Sequence, residues 1–149
     1  MLRFSMETGV MNTDNKMCNI SLTSSMEDYL EAVLVLQQKH GYIRCVDVAG
    51  YLGVTKPSVS RAVKELSKKK CLLKKDDGTL SLTEQGWQIA QQIYEKHQFF
   101  TKQLIEAGVP RDIAVQDACR LEHVISETSF NKLKEAAWMK AQEVIPSEK

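Results

Sequence analysis

The 149-residue chain is 43% hydrophobic and 26% charged, with a formal net charge of +1. That is the balance of a water-soluble protein with room for one core, or for a small domain and an accessory one. No window approaches the roughly 18 consecutive apolar residues of a membrane span, and the opening Met-Leu-Arg-Phe-Ser-Met-Glu has no apolar run of signal-peptide length. A cytoplasmic protein with no membrane partner is expected, and its four cysteines, Cys18, Cys45, Cys71 and Cys119, lack the CxxC spacing of a zinc ribbon or a disulfide framework.

Residues 1–23 show no sustained period and are rich in Asn, Thr and Met, so they read as a mobile N-terminal arm. Ser24 and Ser25 then offer an N-cap, with Asp28 three residues beyond Ser25 as a variant of the capping box. The helix they open is predicted to run to about Lys39, with Met26, Tyr29, Leu30, Val33, Leu34 and Leu36 on its apolar side and His40-Gly41 ending it. Asp28 and Glu31 stand three residues apart on that helix, hence close together on its surface. They are either a cap and a solvated carboxylate or a pair of oxygen ligands.

From Tyr42 the elements shorten. Asp47 to Leu52 predicts a brief helix with Val48 and Leu52 inward, Gly53-Val54 a turn, and Thr55 the cap of a longer helix beginning Lys56-Pro57-Ser58. Proline in the first turn sits where its missing N–H costs nothing. Val59, Val63 and Leu66 then face a core, leaving Lys56, Ser58, Ser60, Arg61 and Lys64 outside. A small helix, a glycine turn and a second helix with a polar, basic start make a helix-turn-helix, whose second helix enters the major groove of double-stranded DNA. Cys71–Lys75 and Thr79–Leu82 predict two short strands around the turn signal Asp76-Asp77-Gly78. A hairpin directly after the recognition helix is a wing, where Lys74 and Lys75 can meet phosphates. Charge agrees with this assignment, because residues 41–75 carry nine Lys or Arg against only Asp47 and Glu65. A basic block in a near-neutral chain suggests a polyanion partner for that block alone, with a solvated helix end at Lys68-Lys69-Lys70 as the lesser alternative.

Thr83-Glu84-Gln85-Gly86 opens a long helix, roughly 83–107, with Ile89, Ile93, Phe100 and Leu104 among its apolar positions, His97 in its middle and Gly108 at its end. A lone histidine there is more often packed than ligating. Pro110-Arg111-Asp112 starts another helix, and Ser126 caps a last one to about Ala141. On the penultimate helix Cys119, Glu122 and His123 stand at i, i+3 and i+4, so at about 100° per residue they share one stripe. A thiolate, a carboxylate and an imidazole together form a ligand set for a divalent transition metal. The plain alternative is a small core cysteine, a solvated glutamate and an edge histidine. So few amphipathic helices commonly find partners in a second copy, which predicts a homodimer.

Ser25-Met-Glu-Asp28-Tyr-Leu-Glu31, Asp47-Val-Ala, Leu52-Gly-Val-Thr-Lys-Pro-Ser-Val-Ser60, Leu82-Thr-Glu-Gln-Gly86, Glu95-Lys-His97 and Cys119-Arg-Leu-Glu122-His123 occur in this order along most of the chain. Together they resemble the diphtheria toxin repressor family, with closest similarity to its manganese transport regulator branch. The resemblance implies a mainly α fold with a small β wing: a winged helix-turn-helix DNA-binding domain over 24–90, then a helical metal-binding and dimerisation domain over 91–149. It implies that Asp28, Glu31, His97, Cys119, Glu122 and His123 are metal ligands. Thr55, Lys56, Pro57, Ser58, Ser60, Arg61, Lys64, Lys74 and Lys75 are the expected DNA-binding residues. The expected function is a manganese-responsive repressor of metal-uptake genes, a homodimer on a palindromic operator, holding one or two Mn(II) or Fe(II) ions per subunit.

Asp28 stands where iron-sensing members usually have methionine, and they often have a third, SH3-like domain that is not expected in a sequence ending at Lys149; both point toward the manganese branch. Cys119, in place of a second glutamate, resembles the iron branch and keeps an iron-responsive repressor open. A winged-helix thiol or redox sensor acting through Cys119 is a further alternative. A metal enzyme is the rival class, since the same donors can activate water. Against it, the sequence has no HExxH motif and would give the basic module no role.

Overall fold

The computed structural model describes residues 21–144. They form α1 (Ser24–His40), α2 (Cys45–Leu52), α3 (Lys56–Lys68), β1 (Leu72–Lys74), β2 (Leu80–Leu82), α4 (Glu84–Glu106), α5 (Arg111–Val124) and α6 (Glu127–Val144). Two compact units divide between Gln91 and Gln92, within α4. Most of the expected arm, residues 1–20, lies outside the described residues. Among the described residues no helix is long and apolar enough to cross a membrane.

In the first unit α1 is the central element. Every residue from Tyr29 to Leu36 except Glu31 is buried, so the helix is apolar around most of its circumference, as a helix surrounded by partners must be. Its partners are α2, α3 and β2. Leu30, Leu34, Ile43, Val48, Val59, Leu66, Leu72 and Leu80 are almost wholly enclosed, each contributing about 1.5–3 kcal/mol by leaving water. The cap of α1 is Thr23, not Ser24 or Ser25: its hydroxyl accepts the Met26 N–H at 3.1 Å. Thr23 has the extended backbone an N-cap requires, whereas both serines are already helical.

α2 likewise starts two residues before the expected Asp47. The Asp47 carboxylate accepts the Arg44 N–H at 2.8 Å, so Asp47 is the third helical residue reaching back to the cap rather than the first. Val48 and Ala49 are buried and Leu52 only half-buried. Gly53 ends the helix at φ 69, a left-handed conformation that glycine reaches without a Cβ clash. Thr55 caps α3 by accepting the Ser58 N–H at 3.2 Å, with Pro57 in the first turn. Val59, Val63 and Leu66 face the core.

The wing is antiparallel, pairing Leu72 with Leu82, Leu73 with Ser81 and Lys74 with Leu80. Ile43 adds a single-residue bridge to Leu80, whose N–H donates to the Ile43 carbonyl at 2.8 Å. The turn is closed by Gly78 and by Asp77, whose carboxylate accepts the Thr79 N–H at 2.9 Å.

In the second unit Phe100, Ala118 and Phe130 form the core, with Phe99, Leu121 and Ile125 packed on it. Phe99 meets both Phe100 and Phe130 edge to face. Ion pairs Lys96–Glu127 at 2.6 Å and Lys134–Glu95 at 2.8 Å tie α6 to α4 beside Phe130. Ser126 caps α6 by accepting the Ser129 N–H at 3.1 Å. Each unit holds one of the chain's two tryptophans, and both Trp87 and Trp138 are exposed.

Candidate metal centre and nucleic-acid face

Glu122 is the anomaly of the second unit. Its side chain has no solvent exposure, although an isolated buried carboxylate is among the most costly groups a protein can hold. α5 brings it there one turn after Ala118, a fully buried core residue. From α4, His97 places Nδ1 2.8 Å from Glu122 Oε1. From the next position on α5, His123 places Nε2 3.4 Å from Glu122 Oε2. That second contact has ion-pair distance without hydrogen-bond geometry, and Oε2 is left buried with no hydrogen-bond partner. Cys119, Glu122 and His123 each offer a ligand atom within 4.8 Å of the others. Glu122 thus belongs to two donor groups, one with Cys119 and His123 and the other with His97, and a buried carboxylate with one oxygen lacking a hydrogen bond is a ligand that a divalent cation satisfies.

Of the six residues expected to bind metal, the second unit thus gathers His97, Cys119, Glu122 and His123. Asp28 and Glu31 belong to the first unit, one turn apart on α1 and half-buried, on the flank not taken by Leu30 and Leu34.

The residues expected to bind DNA occupy the opposite kind of setting. Lys56, Pro57, Ser60, Arg61 and Lys64 on α3 are exposed, as are Lys74 and Lys75 on the wing. Among the described residues none of these five cationic side chains of α3 and the wing has a carboxylate at ion-pair distance, whereas Lys68 pairs with Glu65 at 3.9 Å. Thr55 and Ser58 differ from the rest. Their hydroxyls bond each other at 2.9 Å and serve the cap of α3, so they fix the helix start before they can meet a phosphate.

Arg44 escaped the sequence reading except as one charge in the basic block. The Ile43 bridge brings it beside the wing, where Asp77 is held below the usual carboxylate range. The backbone and side-chain hydrogen bonds from Thr79 are the leading causes, with Arg44 and Lys75 adding to them. Only the alternation Tyr42-Ile43-Arg44 hinted at this, and one apolar residue between two polar ones is too short to read as a strand.

Two family models match the chain: "Iron dependent repressor, N-terminal DNA binding domain" over residues 21–77 and "Iron dependent repressor, metal binding and dimerisation domain" over residues 83–137. The HTH-type transcriptional regulator MntR of Bacillus subtilis (strain 168) is 32% identical over 111 residues, 74% of this chain and 78% of that protein. The transcriptional regulator MntR of Escherichia coli O6:H1 is 32% identical over 109 residues, 73% of this chain and 70% of that protein. Among solved structures, the manganese regulator SloR superposes with a TM-score of 0.70 at 27% identity, covering 78% of this chain and 54% of SloR. The metal-dependent transcriptional regulator MtsR superposes with a TM-score of 0.71 at 26% identity, covering 78% of this chain and 54% of MtsR. The chain therefore spans about half the length of these two solved regulators.

Proposed function

The chain belongs to the iron-dependent repressor family of metal-dependent, DNA-binding transcriptional repressors, and from that premise we propose that it is a manganese-responsive repressor of metal-uptake genes, acting in the cytoplasm as a homodimer on a palindromic operator. The observation that carries the metal reading is the Glu122 carboxylate, buried beside two imidazoles with no hydrogen bond to Oε2. His97, Cys119, Glu122 and His123 would hold one or two ions per subunit, with Glu122 common to both donor groups, and the family resemblance adds Asp28 and Glu31 to the set. A divalent ion supplies two positive charges, which neutralise carboxylates that otherwise repel one another.

What the chain's own residues do follows from where they stand. α1 carries Asp28 and Glu31 and is also the central helix of the DNA-binding unit, so any constraint on those carboxylates is felt by the core beneath α3. α3 presents Lys56, Ser60, Arg61 and Lys64 to base edges and flanking phosphates, while Lys74 and Lys75 hold the neighbouring backbone. In a two-fold dimer the separation of two such helices must match half-sites spaced along one face of the duplex. Metal and operator then raise each other's affinity by the same factor, typically about 5–150-fold.

Oxygen donors favour Mn(II), the weakest binder in the usual order, whereas the Cys119 thiolate favours softer ions and makes Fe(II) the second effector. The test is an anaerobic titration of metal-stripped protein with Mn(II), Fe(II) and Zn(II), reading affinity for a palindromic duplex selected from random sequence by the metal-loaded protein. Mn(II) and Fe(II) should both raise affinity, and Cys119→Glu should weaken the response to Fe(II) a few-fold relative to Mn(II). Duplex affinity indifferent to every ion, or raised by peroxide instead, would remove the metal reading and favour a thiol sensor.

A further inference from the structure

We propose that Thr83, Gln85 and Gly86, at the start of α4, are positioning residues that lock the link between the recognition helix and the wing, and that metal binding at His97 reaches the DNA face through them. This rests on the metal reading above.

The link is Lys69-Lys70-Cys71, which joins α3 to β1. Its backbone closes α3 with the paired bonds of a Schellman ending: Cys71 N–H donates to the Leu66 carbonyl at 2.9 Å and Lys70 N–H to the Ser67 carbonyl at 3.0 Å. That ending needs a left-handed residue, normally glycine. Here it is Lys70 at φ 62, the one non-glycine residue with positive φ among the described residues. A lysine holds such a conformation only where its surroundings over-determine it.

The first turn of α4 supplies that determination. All three carbonyls of the link accept hydrogen bonds from it: Lys69 from Gln85 Nε2 at 3.1 Å, Lys70 from the Thr83 hydroxyl at 2.8 Å, and Cys71 from the Thr83 N–H at 3.1 Å. Gly86 lets the helix approach this closely, since a Cβ there would fall 1.9 Å from the Cys71 carbonyl oxygen. Thr83 also caps α4 itself by accepting the Gly86 N–H at 3.0 Å. One hydroxyl therefore serves both the helix that starts and the link behind it.

The consequence for function comes from the length of α4. It is one uninterrupted helix, and the same helix that grips the link with Gln85 carries His97 twelve positions later. A constraint applied to His97 acts on the helix whose own start holds the end of α3 and the start of the wing. Polar grips of this kind are not needed to bury apolar surface. They fix the angle at which α3 and the wing meet, which is what a paired operator reads.

The test uses Gln85→Ala and Thr83→Val, with Thr83→Ser as the conservative control that keeps the shared hydroxyl. Three quantities are read on full-length protein: Mn(II) affinity by calorimetry without DNA, affinity for the selected palindromic duplex with and without Mn(II), and hydrogen exchange of the α3 and wing amides. Gln85→Ala and Thr83→Val should bind Mn(II) within about twofold of the unsubstituted chain, yet lose about tenfold of the Mn(II)-dependent gain in duplex affinity. They should also lose the Mn(II)-induced protection of residues 56–82, and Thr83→Ser should retain both. Variants that keep the full gain overturn the proposal. So do variants that lose duplex affinity equally with and without Mn(II), because that is what mere structural support would do. His97→Ala with undiminished Mn(II) affinity would instead bring down the metal reading, a result the latch variants cannot mimic because they leave every proposed ligand in place.

Discussion

The recognition helix and the Glu122 cluster solve opposite electrostatic problems. α3 and the wing keep like charges in water, where each costs almost nothing and where salt would weaken each contact of the proposed DNA face. Glu122 is held out of water with one oxygen lacking a hydrogen bond, so its cost is borne whenever no cation is present. A face built the first way tolerates loss of one residue at a time. A centre built the second way fails as a unit, because its members compensate one another.

The sharpest way to break that contrast is Glu122→Gln, which keeps the shape and the contact to His97 while removing the charge. Metal affinity should fall by more than about 100-fold, beyond the 10–100-fold typical of residues that only support ligands. The metal-free variant should melt no lower than the unsubstituted chain, since a buried charge has been deleted. Calorimetric titration and a thermal melt measure both, and undiminished affinity would dissolve the contrast.

A smaller effect sharpens the DNA side. Arg61→Ala should reduce discrimination between the selected duplex and random sequence by about 1–3 kcal/mol. Lys74→Ala should weaken both duplexes alike and lower the salt slope by about 1. Binding isotherms at several salt concentrations decide it: an unchanged ratio for Arg61→Ala would move base reading away from α3.

The smallest effect concerns the wing turn. Asp77 is depressed below the usual carboxylate range by its Thr79 hydrogen bonds first and by Arg44 and Lys75 after them. A group depressed in the folded state stabilises it above the unfolded-state pKa of about 3.9, and that contribution fades as pH falls through the lower folded value. The Thr79 amide resonance should therefore titrate below the ordinary aspartate range, and Asp77→Asn should abolish the titration while keeping the turn. A midpoint at or above the ordinary value would show that the turn bonds do not favour the carboxylate.

The same contrast governs how much could be read in advance. The helix-turn-helix was legible because its signals are local: Gly53 at the turn, Thr55-Lys56-Pro57 at the start of α3, and Asp76-Asp77-Gly78 between strands. Its errors were local too, as with Thr23 taking the cap from Ser24 and Ser25, and Asp47 reaching back to Arg44. The spacing of Cys119, Glu122 and His123 was visible, but the complete burial of Glu122 was not, because helical period places side chains on a stripe and says nothing of what covers it. His97 meets Glu122 across 25 residues of chain, and without the family resemblance it read as an ordinary packed histidine. The left-handed Lys70 was hidden most deeply, since a lysine run advertises charge and gives no sign that tertiary contacts hold one member where glycine belongs.

The two tryptophans also make the protein its own optical instrument. Trp87 lies in the first turn of α4, next to Gly86, and Trp138 in the second half of α6, one in each compact unit and both exposed. Substituting either by phenylalanine leaves a single indole whose emission reports on one unit alone. The order in which the two units respond to an added ion can then be timed by stopped flow without attaching any dye.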